Sequence, residues 1–396
     1  MKNSTSSRQA GAPGASRRQA AFIVLRTLAT RDFASSLLPD GPDRAFVQDL
    51  VYTVLRRIRA MRFVLGRLIP KWPKGELEAL LYIGAAQILY MDAVPDFAAV
   101  HETVAAAKMC ENPSIARVTN GVLRNLLRRR EELEALLASQ PADVRESMPR
   151  ALYSRWVSRF GASEAEELAK WCNRPAATWL ARPDGSFTQL ERSCRVEDVP
   201  GFAEGAFIVQ DPATAAAVEL LAPAPGERLL DACAAPGGKA IQCAWRGADV
   251  VACEVNPKRR RRLEENLRRT RLDAKVRVVA ELPPAGETFD KILVDAPCSN
   301  TGVLQRRPDA RWNWSPERLA ELVRLQAAIL DAAARRLRPG GLLVYSTCSI
   351  EPEENERQVE GFLSRNPRFR LLASSESIPS RTGRDGAFAA SLLLEI

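Results

Sequence analysis

Two thiols and a carboxylate occur in the last third of the chain in positions that could do chemistry. Asp295 and Cys298 lie in Asp295-Ala296-Pro297-Cys298-Ser299, and Cys348 lies in Ser346-Thr347-Cys348-Ser349. Each follows an apolar, β-prone run, so each falls at a strand end, where α/β sheets present side chains to ligands. A free cysteine is by default a small buried hydrophobe, and that is the reading for Cys110, Cys172, Cys194 and Cys243. Cys298 and Cys348 ask for more, because the chain holds a single histidine, His101. Serine–histidine, cysteine–histidine and most histidine–metal chemistries are excluded unless that one residue carries them. Two thiols with a carboxylate suit a reaction that needs no imidazole. Carbon 5 of cytosine is a poor nucleophile, and a thiolate adding to carbon 6 turns the ring into an enamine-like species that can attack an electrophilic methyl group. The C5 proton must then leave and the thiolate be expelled. Residue chemistry alone does not say which thiol attacks.

A methyl donor needs a pocket. Leu230-Asp231-Ala232-Cys233-Ala234-Ala235-Pro236-Gly237-Gly238-Lys239 follows one expected strand and opens a helix. Its glycines let the backbone approach a ligand, and the helix start offers N–H groups to an anion. A strand-to-helix turn with no ligand would look similar in isolation. The following strands end in Glu254, in Ala280-Glu281 and in Asp295. Acidic residues at three successive strand ends beside a glycine-rich loop fit a ligand with hydroxyls and a positive charge, as in S-adenosylmethionine.

The elements that must hold these groups come in two styles. From Arg17 to Ala138 apolar residues recur at three and four spacing, broken by Pro, Gly and Asp, which predicts a compact all-α domain over 17–140. Residues 1–16 read as a disordered tail, and 141–205 as a connector with a small extra subdomain. From 206 to 396 strands alternate with helices, predicting an α/β, parallel, doubly wound sheet. One helix is expected to start at Ser315 as N-cap, with Pro316 behind it, and to stop at Pro339-Gly340-Gly341. The 396 residues carry a net charge of +9, and residues 1–150 hold 22 basic against 15 acidic side chains, so the surplus lies in the helical third. Arg56, Arg57, Arg59, Arg62, Arg67 and Arg124, Arg128, Arg129, Arg130 are candidates for RNA contact, although solvated helix faces explain most such runs. The eight cysteines form no CxxC pair, so neither a metal site nor a disulfide scaffold is expected. No membrane-length apolar run and no signal-peptide core occurs, so a cytoplasmic protein without a membrane partner is expected.

VQDPA, LDACAAPGGK, DAPCSNTGVLQRRPDARW, GGLLVYSTCSIEPEENE and DGAF occur in that order over residues 145–396. Their order and content resemble the Sun/RsmB-type ribosomal RNA cytosine-5 methyltransferases, within the wider RNA 5-methylcytosine family. The helical third, with HETVAAAK and VTNGVLRNLLRR, resembles the NusB-type RNA-binding domain of that branch. The resemblance implies a Rossmann-like S-adenosylmethionine-dependent methyltransferase sheet preceded by an all-α NusB-like domain. It implies that Cys233, Ala234, Ala235, Pro236, Gly237, Gly238 and Lys239 cradle the cofactor, that Glu254 holds the ribose, that Glu281 lies by the adenine and that Asp295 faces the methyl side. It also implies Cys348 as nucleophile, Cys298 as the thiol of product release, and a cytosine in small-subunit ribosomal RNA as target of a monomeric enzyme. The chain departs from the family at Ala280-Glu281, where Gly-Asp is usual, at Ala240, where Thr is common, and at Met148-Pro149-Arg150, where His-Pro is frequent. The rivals are methylation of another RNA such as tRNA, and an RNA-binding assembly factor with an inert methyltransferase half. A dinucleotide dehydrogenase is excluded because ACAAPGGK is not GxGxxG.

Overall fold

The computed structural model describes residues 12–30, 32–191 and 194–396. By contact the chain forms two units, Met1–Asn173 with Arg307–Asn313, and Arg174–Arg306 with Trp314–Ile396. Of the expected tail, residues 1–11 lie outside the described residues, and Ala15 and Ser16 already belong to the first helix.

The first unit is helical: α1 (Ala15–Thr30), α2 (Arg44–Leu65), α3 (Glu76–Tyr90), α4 (Asp96–Lys108), α5 (Ser114–Arg128), α6 (Arg130–Ala138), α7 (Ala142–Arg145), α8 (Arg150–Phe160) and α9 (Ala162–Asn173). In α3 every residue from Ala79 to Ile88 is buried. A helix apolar on all sides belongs at the centre of a bundle, and α1, α2, α4 and α5 pack around it. Gly84 makes one of these contacts possible, since a Cβ there would lie 2.4 Å from Leu123 Cδ1 of α5. The break expected near Pro141 falls inside this unit, because α7 packs on α2 and α9.

The second unit begins with a small sheet of β1 (Thr178–Ala181), β2 (Phe187–Leu190) and β3 (Ile208–Val209), ordered β2-β1-β3. Cys194, in the loop after β2, is exposed rather than a buried hydrophobe, because its neighbours Arg195, Glu197 and Asp198 keep that loop in water. The remaining elements alternate: α10 (Ala216–Leu221), β4 (Arg228–Asp231), α11 (Gly238–Trp245), β5 (Asp249–Cys253), α12 (Pro257–Arg269), β6 (Val276–Val279), β7 (Phe289–Asp295), then α13 (Ala310–Asn313), which lies in the first unit, α14 (Pro316–Ala334), β8 (Leu337–Thr347), α15 (Glu356–Arg365), β9 (Phe369–Ser377), α16 (Pro379–Thr382) and β10 (Ala387–Leu394). The strands lie in the order β6-β5-β4-β7-β8-β10-β9.

Neighbouring residues along each strand face opposite layers. Leu229, Val250, Leu293 and Val344 share one core with Ile241 of α11 and Leu263 of α12. Leu230, Val251, Val294 and Tyr345 share the other with Leu330 of α14 and Phe362 of α15. The sheet is therefore covered on both faces, as its near-continuous apolar strands require. It is not wholly parallel: β10 runs antiparallel between β8 and β9. A parallel return needs a crossover of roughly a dozen residues or more, and the short 378–386 connection does not supply one. Ser315 caps α14 by accepting the Arg318 N–H at 3.2 Å, but α14 ends at Ala334, before Pro339. Leu337 instead opens β8 beside Phe289 of β7.

Candidate active site

The cofactor half of the site is built on β4, β5 and β6. Asp231 ends β4 next to Ala252 of β5 and Leu293 of β7. The loop then runs from Cys233 to Gly237, whose φ of 111° favours glycine and which caps α11. A Cβ at Gly237 would sit 2.8 Å from Leu263 Cδ1, so the loop lies tight on α12. Ala234 N–H donates to the Cys253 carbonyl at 2.9 Å, tying the loop to β5. Glu254, 4% exposed, follows β5; its Oε1 accepts the Asn256 N–H at 2.9 Å and its Oε2 lies 3.4 Å from Arg259 Nε. Arg259 also donates to the Ala235 carbonyl at 2.9 Å, so one guanidinium holds both the acid and the loop. Glu281 is exposed just past β6 and takes no part in this hydrogen-bonded set among the described residues.

Three carboxylates, Asp231, Glu254 and Asp295, meet two cations there. Arg259 pairs with Glu254, and Lys239 pairs with Asp295 at 2.6 Å. Burial alone would lower the Lys239 pKa, and Asp295 and Asp231 outweigh it to raise it. Among the described residues Asp231 forms no ion pair; burial, then the Asp295 charge, pushes its pKa up to about 7. A buried acid left without a cation, beside a glycine loop and a helix start, fits a ligand carrying an amino group and a sulfonium. That donor set is chemically compatible with S-adenosylmethionine.

The thiol half is built on β7 and β8. Their register sets Asp295 beside Ser346, and Ser346 Oγ donates to Asp295 Oδ1 at 2.8 Å. Beyond the two strand ends Cys298 and Cys348 approach to 3.2 Å between sulfurs. The hydrogen bond to Cys348, then burial, pushes the Cys298 thiol up. The loops carrying the thiols are held from behind. Glu354 accepts Ser299 N–H at 2.8 Å, Ser299 Oγ at 2.5 Å and Gln326 Nε2 at 2.9 Å. Asn355 accepts Thr347 Oγ1 at 2.6 Å and donates to the Ser349 carbonyl at 3.0 Å. Burial raises the Glu354 carboxyl above its ordinary range, against the pull of these donors.

The structure thus brings Lys239, Asp295, Cys298 and Cys348 together, keeps 233–239 and Glu254 along the same sheet edge, and leaves Glu281 at its exposed end. Sequence reasoning assigned no role to Asp231, Asn300, Glu354 or Asn355, although all four lie inside segments singled out as characteristic. It also gave none to a buried cluster joining VQDPA, the thiol loop and DGAF. Arg306 donates to Asp211 Oδ2 at 2.9 Å and to Asp385 Oδ2 at 2.6 Å, locking the end of the 298–306 loop to two distant segments. Burial pushes Asp385 up to about 6 even with Arg306 beside it. The signal for such a cluster was the recurrence of lone acids in short characteristic segments, which spacing alone does not pair.

In the helical unit the candidate arginines divide. Arg59 pairs with Asp143 at 2.7 Å and donates to the Met148 carbonyl, while Arg57 lies 3.6 Å from Glu146 and over the Tyr90 ring. Arg56, Arg62 and Arg67 lie over the Tyr52, Trp72 and Phe63 rings. Arg129 and Arg130 pair with Glu132 and Glu134. Arg117, Arg124 and Arg128 are exposed along one face of α5 with Gly121 between them, and have no carboxylate partner among the described residues.

This fold and this loop define a Rossmann-like methyltransferase sheet accompanied by a helical domain of the NusB family, whose profile matches residues 15–128. The profile described as 16S rRNA methyltransferase RsmB/F matches residues 218–392. Among curated relatives, "Ribosomal RNA small subunit methyltransferase B" of Vibrio cholerae is 37% identical over 86% of this chain and 85% of its own length. The protein of that name from Serratia proteamaculans is 34% identical over 94% of this chain and 97% of its own. Among solved structures, PH0851 aligns over 97% of this chain and 99% of its own with a TM-score of 0.78 at 21% identity. NSun6 of Pyrococcus horikoshii, solved with SFG, aligns over 63% and 99% with a TM-score of 0.55 at 19% identity; both likenesses concern the fold. The chain belongs to the RsmB/F family of RNA methyltransferases. Among the described residues no helix is long and apolar enough to cross a membrane.

Proposed function

We propose that the protein methylates carbon 5 of a cytosine in small-subunit ribosomal RNA, with S-adenosylmethionine as methyl donor and Cys348 as nucleophile. The observation that carries the reading is the 3.2 Å approach of Cys298 and Cys348 beside the Lys239–Asp295 pair. Bound S-adenosylmethionine supplies the electrophilic methyl group. Residues 233–239 and Glu254 hold it, and Asp231 offers its buried charge to the ligand's cation. Cys348, as thiolate, adds to carbon 6; Asp295, fixed by Lys239 and Ser346, supports protonation at N3 during that attack. Once carbon 5 carries the methyl group, Cys298 serves the loss of the C5 proton and the expulsion of Cys348. Glu281 is assigned to the adenine end.

The RNA is held in part by the helical module, for which residues 17–140 remain the assigned span, and within it by Arg117, Arg124 and Arg128 rather than by the arginines of α2. Phosphate contacts of this kind make affinity fall steeply with salt. Bisulfite sequencing of small-subunit rRNA and tRNA from a deletion strain tests the whole. Loss of one 5-methylcytosine in the small-subunit rRNA is the expected result; loss in tRNA alone moves the substrate, and no loss anywhere rejects the activity.

A further inference from the structure

Helix α12 carries more charge than its fold uses. Its 13 residues hold seven basic and two acidic side chains, against 35 basic and 33 acidic over all of residues 151–396. The first turn has no acid, and Lys258, Arg259, Arg260 and Arg261 crowd the end where the helix dipole is itself positive. Some of these cations are taken up inside the unit. Arg259 holds Glu254 and the Ala235 carbonyl, Arg260 donates to the Glu254 carbonyl at 3.1 Å, and Arg269 donates to the Phe202 and Phe207 carbonyls at 3.0 Å. Arg261 pairs with Glu265 at 3.2 Å. Lys258, Arg262 and Arg268 are exposed and have no carboxylate partner among the described residues; Arg271 and Lys275 extend the same state into the turn before β6. Leu263 and Leu267 set the opposite face in the core, so Lys258, Arg261, Arg262, Glu265 and Arg268 share the outer one. Like charges at three and four spacing repel, as Lys258 does Arg261 and Arg262. A polyanion lying along the helix relieves that repulsion.

We infer that the outer face of α12 is a second RNA surface, which takes the sugar–phosphate backbone of the substrate and, given the RNA substrate proposed above, adds a grip within the methyltransferase unit itself. A helix that lies on a membrane exposes large apolar side chains beside its cations; the two leucines of α12 are buried instead. The start of the helix has no N–H to spare for a single anion either, because Asn256 Oδ1 accepts the Lys258 and Arg259 N–H groups at 3.0 and 3.1 Å. Contact is therefore by side chains spread over about 15 Å from Lys258 to Arg268, which suits a run of phosphates. Such contacts position a nucleic acid without reading its sequence. The helix is also fixed to the cofactor loop, since Asn266 donates to the Pro236 carbonyl at 2.9 Å. RNA gripped on α12 is thereby held in register with the pocket.

The test is the salt dependence of RNA affinity for the full chain. Lys258→Gln, Arg262→Gln and Arg268→Gln together remove three cations that hold no carboxylate within the protein, with the arginines of α5 left intact. On a small-subunit rRNA transcript the slope of log affinity against log salt should become shallower by about two, at roughly 0.7 per phosphate of a single strand, and affinity near 0.1 M salt should drop roughly tenfold or more. S-adenosylmethionine affinity within about twofold of the parent shows that the unit is folded. Glu265→Gln works in the other direction: it frees Arg261, and RNA should bind roughly twofold to fivefold tighter. An unchanged slope in the triple variant overturns the inference, as does a loss of affinity without a change of slope. Retention on vesicles of anionic lipid that the triple variant abolishes, with the RNA slope unchanged, would hand the face to a membrane. Binding and not methylation is read, so failure of the proposed methylation would show in the bisulfite sequencing and leave these slopes as they are.

Discussion

The two halves of the sheet's carboxyl edge are built differently. On the cofactor side the loop after β4 is shaped by backbone: a glycine at positive φ, a hydrogen bond from Ala234 to β5, and one guanidinium touching both Glu254 and the loop. On the thiol side the backbone is held by buried side chains, with Glu354 and Asn355 taking up Ser299, Gln326, Thr347 and the Ser349 carbonyl. Removing one member of a buried side-chain network leaves its other partners unsatisfied as well. The comparison teaches that binding and chemistry are separable here and should fail separately.

The largest effect lies on the thiol side. Cys348→Ala should abolish both methylated product and any protein–RNA adduct, whereas Cys298→Ala should form the bond to RNA and fail to break it. A denaturing gel should show a slow-migrating band with Cys298→Ala and none with Cys348→Ala; the reverse pattern would exchange the two roles. Next come two substitutions that should separate the halves. Glu354→Gln turns one acceptor oxygen of a buried carboxyl into an NH2 group that faces a donor, and should lower kcat by roughly 10–100-fold, with cofactor affinity within about twofold of the parent. Glu254→Ala should do the opposite, weakening S-adenosylmethionine by roughly tenfold or more in calorimetry while RNA affinity holds. If either variant loses both properties together, the halves are one cooperative unit.

A smaller effect follows from Asp231. Its folded pKa of about 7 stands above the ordinary carboxyl value of 3.8, so the folded state binds the extra proton between those limits. Stability without cofactor therefore falls as pH rises from about 4 toward 7, and the loss persists above. Asp231→Asn should raise the melting temperature at pH 8 by roughly 2–5 °C and gain little at pH 4. Cofactor affinity of the parent should rise through pH 7 as the acid ionises, and the asparagine variant should lose that rise.

Legibility in the sequence followed the same divide. The loop from Cys233 to Lys239 is contiguous, and its position between a strand and a helix could be read from spacing, as could the order of strand ends carrying Glu254, Asp295 and Cys348. The thiol network joins Ser299 to Glu354, and Arg306 to Asp211 and Asp385, across 55 to 95 positions; periodicity carries no information about such pairs. The arginines of α2 and α5 look alike as letters. Only packing shows that Arg59 is taken by Asp143 while Arg124 and Arg128 face solvent. Pro339-Gly340-Gly341 read as a helix stop and lies inside β8, because pairing of Leu337 with Phe289 begins before the proline. The antiparallel pair β9 and β10 is harder to read, because the turn residues Gly383 and Asp385-Gly386 share their connection with α16, which makes it longer than a tight hairpin turn.

The smallest effect is expected at Glu281, and it sharpens the comparison most finely. Glu254 and Glu281 both follow strands of the cofactor half, and the family resemblance gives both a place at the cofactor. Their surroundings differ: Glu254 is 4% exposed and anchored by Asn256 and Arg259, whereas Glu281 is exposed and free of the hydrogen-bonded set among the described residues. A hydrogen bond made in water exchanges one partner for another and contributes little, while one made at a buried acid carries the full desolvation of that acid. Glu281→Ala should therefore weaken S-adenosylmethionine by no more than about threefold, against tenfold or more for Glu254→Ala. Replacing the pair Ala280-Glu281 by Gly-Asp, the usual family residues, shortens the side chain and loosens the backbone beside it, and should change affinity by a similarly small factor. Calorimetry on the three variants decides: a Glu281 loss as large as that of Glu254 would mean that β6 closes over the adenine when the cofactor binds.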